Sequence, residues 1–354
     1  MRNLETAGLL RFDGIKDSVF TAPSLNGFMS LGPQVWRSVA DRLAEIHRAG
    51  PPEGSIHEVS AVEPVLPFEV ADYCDFYASE DHASNIGRIL RPGADPLPSA
   101  WRHIPLGYHG RAGTVFASGT PVRRPHGVID TPDGLTFAPS RRLDVEVELG
   151  YVVGAGVDPG RPLAVEEAEG HLFGLVILND WSARDIQAFE YQPLGPFLGK
   201  SFATSVSAWV VPMWIIAAHA TDGPEQGGEV PVHLSCPQPR AYDLSLELSL
   251  NGTVISRPQA RSLHWSPAQL LAHLTSNGAR LRTGDLLATG TVSGPEPESW
   301  GSLMEITWGG RDPIPLADGQ KRTWIEDGDT VSIRGWCGAQ KVVSVGEVEA
   351  TVTS

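Results

Sequence analysis

The chain has 354 residues, with 42 acidic residues against 27 Lys plus Arg and a formal net charge of −15. That length allows a substantial buried core in one large domain or two. The charge argues against a nucleic-acid or anionic-membrane partner and is compatible with cation binding, although an acidic surface also serves solubility.

Three cysteines, Cys74, Cys236 and Cys337, show neither a metal-type spacing nor a disulfide framework, which points to a reducing compartment. The opening "MRNLETAGLL" lacks the apolar core of a signal peptide, and the most apolar stretch, "AWVVPMWIIAA", is too short for a membrane span and is interrupted by Pro212. The expectation is a cytoplasmic protein with no membrane partner.

In chain order, residues 31–48 read as a helix, because Val35, Val39, Leu43 and Ile46 recur at helical spacing. "AGPPEGS" then breaks the pattern as a linker or long turn. Residues 72–91, "DYCDFYASEDHASNIGRILR", hold Asp75, Tyr77, His82 and Arg91; in an extended segment Asp75 and Tyr77 share a face. A lone histidine such as His82 is more often structural than catalytic. "GYHGRAG" follows, a glycine-rich turn with Tyr108 and His109.

Residues 141–154, "RRLDVEVELGYVVG", alternate strictly, placing Asp144, Glu146 and Glu148 on one face of a strand. Two readings fit three carboxylates in a row: a half-exposed strand with acids to water, or a hard divalent cation held by oxygen ligands.

In residues 178–205, Asp180, Arg184, Gln187 and Tyr191 fall on one stripe if the piece is helical, with Asn179 or Asp180 as its cap and Pro193 as its end. Such a stripe is either a solvated face or a metal ligand beside an oxyanion clamp. Lys200 follows a Gly/Pro-rich turn, without a phosphate-loop pattern.

"YDLSLELSLNGTVIS" alternates and carries Asn251-Gly252, a hairpin signal. "SPAQLLAHLTSNG" reads as a helix with Ser266 as N-cap, Pro267 at its first position and Gly278 beyond its end. In residues 286–306, apolar and small residues lead to Thr291 and a loop. Glu305 then sits in an apolar "LMEITW", partly buried and in need of a partner, for which a histidine is one candidate. "DGDTVSIRGW" is a turn followed by a strand. The chain has no repeats and no regular βαβ rhythm, so the fold class is mixed and β-dominated rather than a doubly wound sheet.

Several long stretches, "DYCDFYASEDHASN", "LGYHGRAGTVFASGTPVRRP", "DVEVELG", "NDWSARDIQAFEYQPLGPFLGKSF" and "GTVSGPEPESWGSLMEI", resemble the fumarylacetoacetase (fumarylacetoacetate hydrolase) family, in one order from about Asp72 to the C-terminus. "PSLNGFMSLGPQVW" is similar to the helical end of the family's small N-terminal domain. The resemblance implies a small N-terminal domain over 1–66, shorter at its start than the family's, and a β-roll catalytic domain over 67–354.

The activity it implies is metal-dependent hydrolysis of the C–C bond of 4-fumarylacetoacetate, giving fumarate and acetoacetate in the last step of tyrosine and phenylalanine catabolism, by a homodimer. It makes Asp75, Glu146, Glu148 and Asp180 ligands of Mg²⁺ or Ca²⁺, with Lys200 and Thr204 at positions linked to magnesium. His82 corresponds to the base and Glu305 to its carboxylate partner. Arg184, Gln187 and Lys200 correspond to the oxyanion-stabilising set, and Tyr77, Arg91, Tyr108, Gln187, Tyr191 and Thr291 to substrate-binding positions.

Each position carries the residue the family pattern requires; Asp144 corresponds to no ligand. The oxygen-only ligand set disfavours zinc. Other superfamily reactions share the acidic cluster, namely acylpyruvate hydrolysis, oxaloacetate decarboxylation and dienoate isomerisation; "EYQPLGPFLGKSF" with His82 and Glu305 favours fumarylacetoacetase. A Ca²⁺-stabilised binding module explains the acids but not the histidine, the buried glutamate and the two cations.

Overall fold

The alternating segment at 143–153 is buried on both faces, not half-exposed as its pattern suggests. In the computed structural model, which describes residues 2–15, 19–227, 230–236, 239–338 and 340–354, this segment forms a short strand Leu143–Asp144 and a longer strand Val147–Val153. The longer strand lies inside an eight-stranded sheet. The strand order is Gly107–His109, Tyr73–Phe76, Leu286–Ala288, Val147–Val153, Leu172–Asp180, Thr204–Val206 and Val115–Ala117, with Val211–Pro212 also pairing Leu172–Asp180. A strand flanked on both sides and covered on both faces has no solvated face to place acids on.

The two faces bury different things. Val147, Leu149, Tyr151 and Val153 pack with Ile177 against Leu246, Ile333 and Val345 of a second, five-stranded sheet. That sheet runs Thr253–Ser256, Leu244–Leu250, Thr330–Cys337, Val343–Thr353 and Val122–Arg123. On the opposite face Val152, Val176, Leu178, Tyr73, Leu286 and Val206 pack with Met29, Trp36 and Phe68 from the N-terminal part of the chain.

Each strand continues this second row into a polar residue. Tyr73 leads to Asp75, Val152 to Glu148, Leu178 to Asp180 and Val206 to Thr204, all in steps of two along their strands. The sheet aligns these ends, pairing Asp75 with Ala288, Ala288 with Gly150 and Thr204 with Asp180. One face is therefore apolar under Trp36 and acidic at the other end.

Other local expectations hold. The Pro33–Ala49 helix buries Trp36, Val39 and Ile46. Ser266 caps the Pro267–Thr275 helix, its Oγ accepting from the Gln269 amide at 3.3 Å. Asn251 (φ 49°) and Gly252 (φ 75°) join Leu244–Leu250 to Thr253–Ser256 through a turn that needs two positive φ values. The helix spanning Asp180 to Tyr191 is not formed as expected. Asp180 ends a strand, and the helix covers only Arg184–Glu190, with Ala183 at its N-cap and no side-chain cap. The spacing was right for a helix, but sheet pairing of Asp180 with Thr204 prevails over it.

Candidate active site

Four carboxylates from three strands and the segment preceding one of them converge at the acidic end of the sheet. One oxygen from each of Asp75, Glu146, Glu148 and Asp180 lies within 4.8 Å of every other, and all four side chains are buried. Lys200 Nζ bonds Glu146 and lies 2.7 Å from Asp180 Oδ2. Tyr108 OH donates to Asp180 Oδ2 at 2.9 Å, and Thr204 Oγ1 donates to Asp180 Oδ1 at 3.0 Å. Arg184 Nη2 donates to Glu146 Oε1 at 2.6 Å, and the Gly290 amide donates to Glu148 Oε2 at 3.1 Å.

Burial, and after it the neighbouring carboxylates, push Asp75 and Glu148 well above the ordinary carboxylate range. Burial acts the same way on Glu146, but Arg184 and Lys200 together outweigh it and hold that carboxyl below its ordinary value. Asp75 Oδ1 and Glu148 Oε1 are buried and have no hydrogen-bond partner. Two orphaned carboxyl oxygens in a cluster of four acids fit a hard divalent cation with oxygen ligands, and the absence of sulfur or imidazole in the cluster disfavours zinc.

His82 lies on the adjoining Glu80–Leu90 helix, whose start is fixed by Ser79 Oγ accepting from the His82 amide at 3.2 Å. Its Nδ1 is 2.7 Å from Glu305 Oε2, and its Nε2 is 3.7 Å from Glu146 Oε1. Tyr77 meets the imidazole edge-on, with ring centroids 5.5 Å apart. Glu305 is fully buried rather than partly so. Its Oε2 also accepts from Ser293 Oγ at 3.0 Å and Ser302 Oγ at 2.7 Å, and its Oε1 from Asn85 Nδ2 at 3.1 Å. Burial raises this carboxyl, but His82 and the hydrogen-bond donors prevail and lower it, keeping it anionic opposite the imidazole.

A cavity of about 650 Å³ gathers most of the sequence candidates on its wall. Asp75, Tyr77, His82, Arg91, Tyr108, Glu146, Glu148, Arg184, Gln187, Tyr191, Lys200 and Thr291 all line it. Three do not. Glu305 stands behind His82, Thr204 behind Asp180, and Asp180 lines a smaller cavity of about 280 Å³ that shares Tyr108 and Lys200 with the larger one. Thr291 Oγ1 is buried with no hydrogen-bond partner, and Arg91 Nη2 donates to the Pro96 carbonyl at 3.0 Å.

Sequence reading missed Asn85, Ser293, Ser302 and Gly290 as supports of the site. Ser302 carried a signal: Ser-x-x-Glu is a capping-box spacing, and Ser302 Oγ does accept from the Glu305 amide at 3.3 Å. Asp144, which corresponds to no ligand in the resemblance, stands outside the acidic cluster, and its oxygens bond Arg184 and the chain at residues 303–304.

The sequence matches the family described as "Fumarylacetoacetate (FAA) hydrolase C-terminal" over residues 72–353. Fumarylacetoacetase of Arabidopsis thaliana is 41% identical over 355 residues, covering 94% of this chain and 83% of that protein. Fumarylacetoacetase of Homo sapiens is 42% identical over 337 residues, covering 90% and 80%. Among solved structures, the fumarylacetoacetate hydrolase from psychrophilic Exiguobacterium antarcticum superposes with a TM-score of 0.57 at 18% identity, covering 94% of this chain and 89% of that one; it shows a shared fold.

Proposed function

The chain belongs to the fumarylacetoacetate hydrolase family, and from that membership we propose that it hydrolyses the C–C bond of 4-fumarylacetoacetate to fumarate and acetoacetate, the last step of tyrosine and phenylalanine catabolism. The observation that carries the reading is the buried His82–Glu305 pair, 2.7 Å apart, beside the four-carboxylate cluster.

Glu305 accepts the Nδ1 proton of His82 and sets the tautomer, leaving Nε2 as the base toward the cavity. His82 takes a proton from water, and the resulting hydroxide attacks the carbonyl next to the fumaryl group. Arg184, Gln187 and Lys200 meet the oxyanion that forms there, and the loss of one such donor typically costs about 2.7–4 kcal/mol. Tyr77, Arg91, Tyr108, Gln187, Tyr191 and Thr291 position the substrate. The C–C bond then breaks, its electron pair leaving with acetoacetate as the enolate, and the proton held by His82 passes to the enolate carbon to give acetoacetate and restore the base. Asp75, Glu146, Glu148 and Asp180 would hold Mg²⁺ or Ca²⁺, with Lys200 and Thr204 beside it, and such an ion supplies the positive charge that steadies the diketone and enolate oxygens.

The assembly we propose is a homodimer. Leu135 and Phe137, 62% and 72% exposed on the Gly134–Pro139 strand, and Leu194 and Phe197, 95% and 66% exposed beside the cavity, supply an apolar surface for it. A cytoplasmic location agrees with the buried free thiols of Cys74 and Cys337; among the described residues, no helix is long and apolar enough to cross a membrane. The division at residues 66 and 67 into a small N-terminal and a catalytic domain also stands as a proposal.

The test is loss of the ultraviolet absorbance of 4-fumarylacetoacetate in EDTA, then with Mg²⁺ or Ca²⁺ restored. Metal-dependent loss with fumarate as product is expected. No loss with metal present would direct the reading to another diketo acid.

A further inference from the structure

Asp144 shares its parity with Glu146 and Glu148 but stands outside their cluster, although it is fully buried. Its Oδ2 accepts from Arg184 Nε at 2.7 Å and from the Met304 amide at 3.2 Å. Its Oδ1 accepts from the Leu303 and Val145 amides, each at 2.8 Å. Leu303 and Met304 open the Leu303–Ile306 helix, whose third residue is Glu305. The rest of the guanidinium points elsewhere: Arg184 Nη1 donates to Gln187 Oε1 at 3.2 Å and Nη2 to Glu146 Oε1 at 2.6 Å.

We propose that Asp144 is a positioning residue that sets the Arg184 guanidinium against the helix carrying Glu305. The proposal rests on the hydrolase reading above. A guanidinium is a rigid planar fork, so fixing Nε fixes where both Nη groups point. The same carboxylate holds two amides of the short helix whose Glu305 orients His82. The oxyanion group and the acid behind the base are thereby tied to one anchor. Asparagine cannot take this place. It has one acceptor oxygen, so its NH2 would meet donors in either orientation: Arg184 Nε–H and the Met304 amide, or the Leu303 and Val145 amides.

The experiment compares kcat and KM of the full chain, Asp144→Asn, Arg184→Ala and the double variant, with Mg²⁺ added. Asp144→Asn is expected to lower kcat about 100-fold and leave KM within about threefold, the pattern of an interaction realised in the transition state. The double variant is expected to lose less than the product of the two single losses, because Asp144 acts partly through Arg184 and partly through the helix of Glu305. A kcat for Asp144→Asn within about threefold of the parent, or losses that simply multiply, overturns the proposal.

A second reading needs no turnover: the Arg184 Nε–H resonance, assigned by its loss in Arg184→Lys, is expected to exchange slowly in the parent and rapidly in Asp144→Asn. An unchanged resonance refutes the assignment even if the parent proves inert on fumarylacetoacetate, an outcome that by itself refutes only the hydrolase reading. Should Asp144→Asn not fold, Asp144→Glu, which keeps the charge but shifts it by one methylene, is judged by the same two readouts.

Discussion

Nδ1 of His82 and Oε2 of Glu305 lie 2.7 Å apart although 223 positions separate them in the chain. Four donors meet this carboxylate: the imidazole, Ser293 and Ser302 on Oε2, and Asn85 on Oε1. Glu305→Gln keeps the shape but can present an amide to Nδ1 and favour the wrong tautomer. It is expected to lower kcat by about 10²–10⁴, with metal content unchanged by elemental analysis. A kcat within tenfold of the parent would remove Glu305 from the mechanism.

Glu148 has an orphaned oxygen in the acidic cluster, and burial with its anionic neighbours raises its carboxyl. Glu148→Gln is expected to weaken Mg²⁺ or Ca²⁺ binding, measured by calorimetry. In the parent, a cation at 100 times its Kd should stabilise the fold by about 2.7 kcal/mol, read as a higher Tm with metal than in EDTA. An identical Tm in both would argue that the cluster holds no ion.

Gly199 lies against the helix that presents Arg184 and Gln187. A Cβ at Gly199 would come within 2.7 Å of the Gln187 backbone nitrogen and 2.8 Å of its Cα, atoms that no rotamer change can move away. Gly199→Ala should cost about 1–3 kcal/mol of stability and displace the helix beside Lys200. The expected outcome is a lower Tm together with reduced kcat; a variant with parent-like Tm and kcat would show that the helix yields freely.

Away from the site, Arg322 grips Asp329 in a fork, Nε to Oδ2 at 2.9 Å and Nη2 to Oδ1 at 3.0 Å. Burial raises the Asp329 carboxyl, but Arg322, the Glu326 amide and Asn251 outweigh it and lower its pKa. A carboxyl lowered on folding contributes stability that is present in full above its unfolded value of about 3.9 and is lost as pH falls through the folded value. Asp329→Asn should therefore cost about 2 kcal/mol near neutral pH and progressively less in acid, measured by urea unfolding across pH 2–7. An equal cost at every pH would contradict the ionic origin.

Local elements were legible because their signals are local. The Ser266 cap, the Asn251-Gly252 turn and the 31–48 helix each follow from residues within a few positions of one another. The alternation around Glu146 and Glu148 likewise disclosed that the two acids share a face. It could not disclose what covers this face, because Trp36, more than a hundred residues upstream, packs over its apolar end, whereas its acidic end lines the cavity. The stripe from Asp180 to Tyr191 failed for the same reason: a helical spacing of polar residues says nothing about the strand that pairs with Asp180.

By itself, the sequence determined the residue types of the site and, through their resemblance to a family, supplied the roles proposed for them. Only the tertiary structure decided that Asp75, Glu148 and Asp180 prolong apolar rows on one sheet face, and that Asp144 turns instead to Arg184 and the start of the Glu305 helix. Side-chain parity is a property of each strand alone, whereas the register that aligns three strands, and the break at Val145 that redirects Asp144, arise from long-range pairing and packing.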